Sequence, residues 1–207
     1  MKDDSGHAPI LTIDPAAPQP GLLKVAAQAL KAGRMLVFPT DTVYGVGLLA
    51  IETANLDSIF VAKRRPADKP IPLLIAPSAC LDDYAVDIAD YARDLAARHW
   101  PGAITLVLRA KPTLPRQLCA LDGSVALRVP QSRIALGLIS QAGAPIATSS
   151  ANISGTAPTT TVALLDNRLA TQVALIIDGG VLSGQPSTLV SCLGPEPIVL
   201  RPGALAL

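Results

Sequence analysis

The chain has 207 residues, half of them hydrophobic, and a mean hydropathy of +0.42, enough for one domain, with at most a small added lobe, around a sizeable core. Its net charge is +1 and only 3% of its residues are aromatic, so neither a global basic field nor a stacking platform marks it as a nucleic-acid binder. No residue between Ile134 and Leu165 is charged. Gly, Pro, Ser and Thr break that stretch before it reaches the roughly 18 apolar residues of a membrane helix.

Residues 1–20, with Pro9, Pro15, Pro18 and Pro20, read as an irregular arm, and residues 21–207 as the folded domain. From Leu22 the apolar residues Val25, Ala26, Ala29 and Leu30 recur at helical spacing, and Gly33 supplies a stop. Residues 34–38 (RMLVF) read as a buried strand and 46–51 as a second. Leu56, Ile59 and Phe60 form one face of a helix towards Lys63, which Pro66 ends. Residues 71–76 read as a strand that Pro72 assigns to an edge or a bulge. Ile88, Tyr91, Ala92, Leu95 and Ala96 mark a helix closed by Trp100-Pro101-Gly102. Strands are predicted at 105–108, 125–129, 145–148, 173–177, 188–191 and 198–201, and helices at 134–141 and 162–169. This alternation predicts an α/β fold with no internal repeat and no linker between domains.

Cys80, Cys119 and Cys192 lie far apart with no CxxC, and read as buried free thiols of a reducing compartment. His7 and His99 are isolated and read as structural or surface residues. The opening MKDDSGHAPI has no secretory core, which predicts a cytoplasmic protein. No GxxxxGK[ST], HExxH or GxSxG string occurs, and Gly45-Val46-Gly47 is too little for a dinucleotide site.

Four segments exceed what packing needs. Residues 39–45 (PTDTVYG) place polar groups straight after a buried strand, where α/β sheets bind ligands, although a capped turn has the same composition. Residues 63–70 (KRRPADKP) hold four cations in seven residues. They read as an anion site stiffened by two prolines, or as a solvated helix end. Residues 148–155 (TSSANISG) are dense in hydroxyls and amides that can donate to phosphate or carboxylate, as a flexible polar loop also can. Asp178-Gly179-Gly180, Pro186-Ser187-Thr188 and Leu200-Arg201-Pro202-Gly203 are turn chemistry when taken singly.

Taken together, the strings PTDTVYGVG, K-x-R-P-x-x-K-P, WPGAITLVL, SVALRVP, SSANISG, DGG, PSTLV and LRPG span Pro39 to Gly203. In this order they resemble the YrdC/TsaC family of threonylcarbamoyl-adenylate synthases. The resemblance implies a single YrdC-like catalytic domain over residues 21–207: a twisted mixed sheet flanked by helices, with a broad concave cleft. It also implies ATP, L-threonine and bicarbonate or CO2 as substrates, with Mg²⁺ carried by ATP and no protein metal ligand. The downstream partner would be a threonylcarbamoyl transferase complex that modifies the adenosine next to the anticodon. Contact with tRNA itself would be weak or transient, and no membrane would be involved.

Residue by residue, the resemblance gives Lys63 and Arg65 the catalytic, ATP-handling role. It places Ser124, Thr148, Asn152, Pro158 and Arg201 on ATP as well. Thr40, Arg128, Ser150 and Ser187 fall on threonine, Arg128 gripping its carboxylate, with Asn152 close to both ligands. The chain departs from the family pattern at Ser149, where a proline is common, and at Ser191, where an acid often stands. It also has Leu73 and Leu74 near where some relatives carry a histidine. It ends soon after Gly203, before the additional domain of longer relatives. Two rival readings remain from the residues: a non-catalytic RNA-binding module resting on the cationic strip, and a carbamoyl-transfer role in metallo-centre maturation.

Overall fold

The computed structural model describes residues 8–51, 53–66 and 71–207. Inside the segment expected to be irregular lies a strand, β1 (Ile10–Thr12), paired in parallel with a strand far along the chain. The first helical stripe forms α1 (Pro20–Lys31), with Pro20 at its first turn, where a missing N–H costs nothing. Then follow β2 (Leu36–Pro39), β3 (Tyr44–Leu49), α2 (Asp57–Lys63), β4 (Leu73–Leu74), β5 (Ala85–Val86) and α3 (Asp90–His99). The second half holds β6 (Ile104–Ala110), β7 (Ser124–Arg128), α4 (Arg133–Ala142), β8 (Ile146–Ser150), α5 (Asn167–Ala170), β9 (Leu175–Asp178), β10 (Thr188–Ser191) and β11 (Ile198–Arg201).

Among the described residues the strands form one mixed sheet in the order β1-β9-β2-β3-β8-β4-β7-β6-β10-β11, with β5 added to β6. The expected α/β class with a large mixed sheet is therefore the fold observed. Strand alternation divides the side chains between two cores. On one face Val37, Val46, Leu73, Leu106 and Leu127 pack with Ile59 of α2 and Ala92 of α3. On the other, Leu36, Phe38 and Ile177 pack with Leu23 and Leu30 of α1 and Leu138 of α4. Each such fully buried Leu, Ile or Phe contributes about 1.5–3 kcal/mol. Of α1 and α4 only Leu136 reaches the core beneath β7, β6 and β10, and on the opposite face the side chains of these strands line an open cavity instead.

Several sequence expectations need correction. β4 is two residues long and lies between β7 and β8, not at an edge. Pro72 has no N–H to give, but its carbonyl accepts Thr148 N at 2.8 Å, so it ends the strand without exposing it. The helix expected over 162–169 is broken into a 3-10 turn at Val162–Leu164 and the four-residue α5. Asp166 causes the break, because its carboxylate accepts Arg168 N at 2.9 Å and caps a new helix start. Of the three free cysteines only Cys192 is buried, and Cys80 is exposed. His7 and residues 67–70 of the cationic strip lie outside the described residues.

Candidate active site

The bare part of the sheet floors a cavity of about 750 Å³. On β7, Val125 and Leu127 point into the core, which sends Ser124, Ala126 and Arg128 the other way. Ser124 and Arg128 therefore mark two ends of one floor, roughly 13 Å apart at about 3.3 Å per residue. On β6 the same alternation exposes Thr105 and Val107 to the cavity.

At one end Arg128 is buried and fixed by three contacts. Its Nε donates to Gly102 O at 2.9 Å, Nη1 to Thr42 Oγ1 at 3.1 Å, and Nη2 to Asp41 Oδ1 at 2.7 Å. A guanidinium has five N–H donors, so two are left without an acceptor among the described residues. Burial pulls the Arg128 pKa below its ordinary value, Asp41 opposes that pull and Arg201 adds to it. The turn between β2 and β3 is capped by Thr40, whose hydroxyl donates to Val43 O at 2.7 Å and accepts Thr42 N at 3.2 Å. Thr40 nonetheless lines the cavity, so the capped turn and the ligand wall are the same structure.

Ser187 and Thr105 are buried and share a hydrogen bond of 2.8 Å between their hydroxyls. Arg201 stands above them and donates from Nη2 to Ser187 O at 2.8 Å. Gly203 makes that approach feasible. A Cβ there would overlap the backbone of Pro186, Ser187 and Thr188, which explains why the Arg-Pro-Gly and Pro-Ser-Thr strings occur together. At the other end Ser124 Oγ donates to Asp122 Oδ1 at 2.6 Å, which holds that carboxyl below its usual range.

The wall opposite is β8 and the loop after it. Thr148, Ser150, Asn152 and Pro158 all line the cavity. Gly45 on β3 pairs with Ser150, and a Cβ on it would sit 2.7 Å from Thr148 Cγ2, so glycine lets the wall close. The Asn152 amide donates to Ile153 O at 3.0 Å and Thr156 O at 2.7 Å, while its buried Oδ1 has no partner among the described residues.

Lys63 and Arg65 part company. Arg65 lines the cavity. Lys63 does not line it and is 1% exposed, donating to Ser150 O and, at 2.6 Å, to Asn152 O. Burial, with help from Arg65, lowers its pKa from 10.5 to about 8. Every other residue that the sequence reading placed on ATP or threonine lies on this one cavity.

Thr105, Asp122 and the Asp41–Arg128 ion pair were missed in the sequence. Thr105 carried a signal, as the one hydroxyl in the apolar run 104–108 (ITLVL). The ion pair carried none, because its partners are 87 residues apart.

Fold and cavity define a mixed α/β protein with a preformed cleft where guanidinium groups and hydroxyls converge. The family model Sua5_yciO_yrdC, described as "Telomere recombination", matches residues 28–203. The chain belongs to this Sua5/YciO/YrdC family. It is 40% identical over 183 residues to a threonylcarbamoyl-AMP synthase of Bacillus subtilis, covering 87% of this chain and 53% of that protein. It is 37% identical over 194 residues to a putative threonylcarbamoyl-AMP synthase of Mycobacterium tuberculosis, covering 93% and 88%. The structure of Pyrococcus abyssi Sua5 complexed with L-threonine superposes with a TM-score of 0.89 at 37% identity, covering 95% of this chain and 58% of that one. The chain thus spans about half the length of some of the curated relatives it matches.

Proposed function

We propose that the chain is a threonylcarbamoyl-AMP synthase, a nucleotidyltransferase that makes threonylcarbamoyl-adenylate and pyrophosphate from L-threonine, CO2 derived from bicarbonate, and ATP. The observation that carries this reading is the convergence of Arg65, Arg128 and Arg201 on a single cavity. The reaction brings together a carboxylate, a carbamate and a triphosphate. Two unit charges 4 Å apart repel by about 4 kcal/mol at an effective dielectric near 20, so clustered cations are needed to offset them.

In this reading the amino acid carboxylate takes the two remaining N–H groups of Arg128, and the nucleotide lies towards Ser124. Arg65 and Arg201 face the phosphates. Threonine's neutral nitrogen bonds to the carbon of CO2 and loses a proton, giving a carbamate. A carbamate oxygen then bonds to the α-phosphorus of ATP while its bond to the bridging oxygen breaks, and that electron pair leaves with pyrophosphate. The substrate brings its own nucleophile, so positioning and fixed dipoles can carry the rate. The hydroxyls of Thr40 and Ser124 suit this role, since each is held by its own turn. Mg²⁺ accompanies ATP as part of the substrate, held by phosphates and water. Asp122, the one carboxylate among the described residues that line the cavity, accepts a hydrogen bond from Ser124.

The product would pass to a threonylcarbamoyl transferase complex acting on tRNA in the cytoplasm. Among the described residues no helix is long and apolar enough to cross a membrane. A non-catalytic RNA-binding role is disfavoured by the cavity's chemistry. Tyr44, the one aromatic among the described residues that line it, is fully buried with its hydroxyl held by Gly179 N at 3.1 Å and Gly180 O at 2.7 Å, so its ring offers no face for a base to stack on. The test is release of pyrophosphate from ATP, which should require threonine and bicarbonate together.

A further inference from the structure

The strip 63–65 (KRR) ends a helix, and its geometry separates two cations that look equivalent in the sequence. α2 stops at Lys63, and Arg64 then adopts the left-handed conformation with φ 51°. Arg65 N closes the turn on Phe60 O at 2.9 Å. Such a left-handed closure ends the helix, satisfies its last carbonyls and turns the chain out of the helical path. Arg65 consequently faces the cavity, whereas the Lys63 side chain runs behind the wall.

Behind the wall, the ammonium bridges the carbonyls of Ser150 and Asn152, two residues apart on the loop leaving β8. The Lys63 carbonyl accepts Ser154 N at 2.9 Å, so one residue of α2 ties three positions of that loop. Ser150 and Asn152 present their side chains to the cavity from the backbone so held. Hydrogen bonds from a charged donor are roughly twice as strong as neutral ones, which suits an ammonium to fixing an otherwise irregular segment.

We propose that Lys63 is a positioning residue that acts through the backbone of residues 150–154 and not a contact for the triphosphate, Arg65 alone of the pair facing the phosphates. This division of labour rests on the proposed adenylyl-transfer reading. Its consequence is that removing the Lys63 amino group, with its hydrogen bonds to two carbonyls, loosens the wall that receives the amino acid and leaves phosphate binding in place.

The experiment uses the full chain with inorganic pyrophosphate and L-threonine as separate probes in calorimetric titration. Lys63→Met should bind pyrophosphate within threefold of the unaltered chain and threonine at least tenfold more weakly. Arg65→Ala should lose at least tenfold in pyrophosphate. In the unaltered chain, labelled with ¹⁵N, pyrophosphate should shift the Arg65 guanidinium resonance and leave the Lys63 ammonium resonance in place. A tenfold loss of pyrophosphate affinity in Lys63→Met would overturn the proposal. So would a Lys63 resonance that moves with pyrophosphate as Arg65 does, and that readout needs no variant to fold. Amide exchange of Asn152 and Ser154 without ligand is independent of the reaction. At least tenfold faster exchange in Lys63→Met supports the clamp even if the chain proves to catalyse something else, and unchanged exchange refutes it.

Discussion

Replacing Arg128 by lysine keeps the charge and removes the fork. One ammonium cannot reach Gly102 O, Thr42 Oγ1 and Asp41 Oδ1 at once, since three guanidinium nitrogens serve these acceptors at 2.9, 3.1 and 2.7 Å. At least two hydrogen bonds from a charged donor are lost, each worth about 1.5–3 kcal/mol. Water entering the site and the retained charge recover part of this, for a net destabilisation of about 3 kcal/mol. At 2–4 °C per kcal/mol for a chain of this size, the melting temperature should fall by roughly 6–12 °C. The two N–H groups assigned to the threonine carboxylate also lose their planar geometry. Threonine affinity should drop at least tenfold, about 1.4 kcal/mol, while ATP affinity stays within threefold. Thermal melts and calorimetric titrations of the same preparation with each ligand give both numbers. If Arg128→Lys binds threonine normally but loses ATP, the assignment of the two ends of the cavity is reversed. A melting temperature that does not change would contradict the three-point anchoring.

Other outcomes follow from the same geometry. The folded-state pKa of Lys63, about 8, lies below its ordinary 10.5, so the cost of burying the ammonium is fully present below pH 8 and is relieved between 8 and 10.5. Relative to Lys63→Met, the unaltered chain should gain up to roughly 3 kcal/mol of stability from pH 7 to 10.5, at about 1.36 kcal/mol per unit. Urea midpoints at both pH values measure this, and a flat or falling difference contradicts it. Gly203→Ala forces a Cβ into the Pro186–Thr188 backbone and should cost about 1–3 kcal/mol, by the usual overpacking penalty. The same change should weaken ATP binding as Arg201 moves away from Ser187, and unchanged ATP affinity would detach Arg201 from the nucleotide. Serine lacks threonine's methyl group, so its kcat/KM should be lower by about 1–3 kcal/mol, or 10–200-fold. Parity between the two amino acids would mean that no apolar surface reads the methyl.

Much of this was legible in the chain itself. Strands 188–191 and 198–201 occur with the bounds the sequence predicted, because short runs rich in β-branched and apolar residues near Pro and Gly have few other options. β1 and β5 were not visible. Ile10–Thr12 and Ala85–Val86 are too short for a period to register, and both exist because a neighbouring strand supplies their partners. The 162–169 stretch had the composition of one helix, but the Asp166 cap divides it. Within the site, motif strings found the walls and missed the direction of side chains. Lys63 and Arg65 are two residues apart, and with the left-handed Arg64 between them one lies behind the wall and the other lines the cavity. Asp41 is visible as part of a polar turn, but its pairing with Arg128 is a property of the assembled sheet.

The most direct test of the central claim is pyrophosphate release from ATP by the purified chain, measured with threonine and bicarbonate present together and with each omitted in turn. Release should need both co-substrates and be accompanied by an equal amount of threonylcarbamoyl-adenylate, since the carbamate is the attacking group. Release at the same rate without threonine, or tight tRNA binding with no release under any combination, would contradict the account.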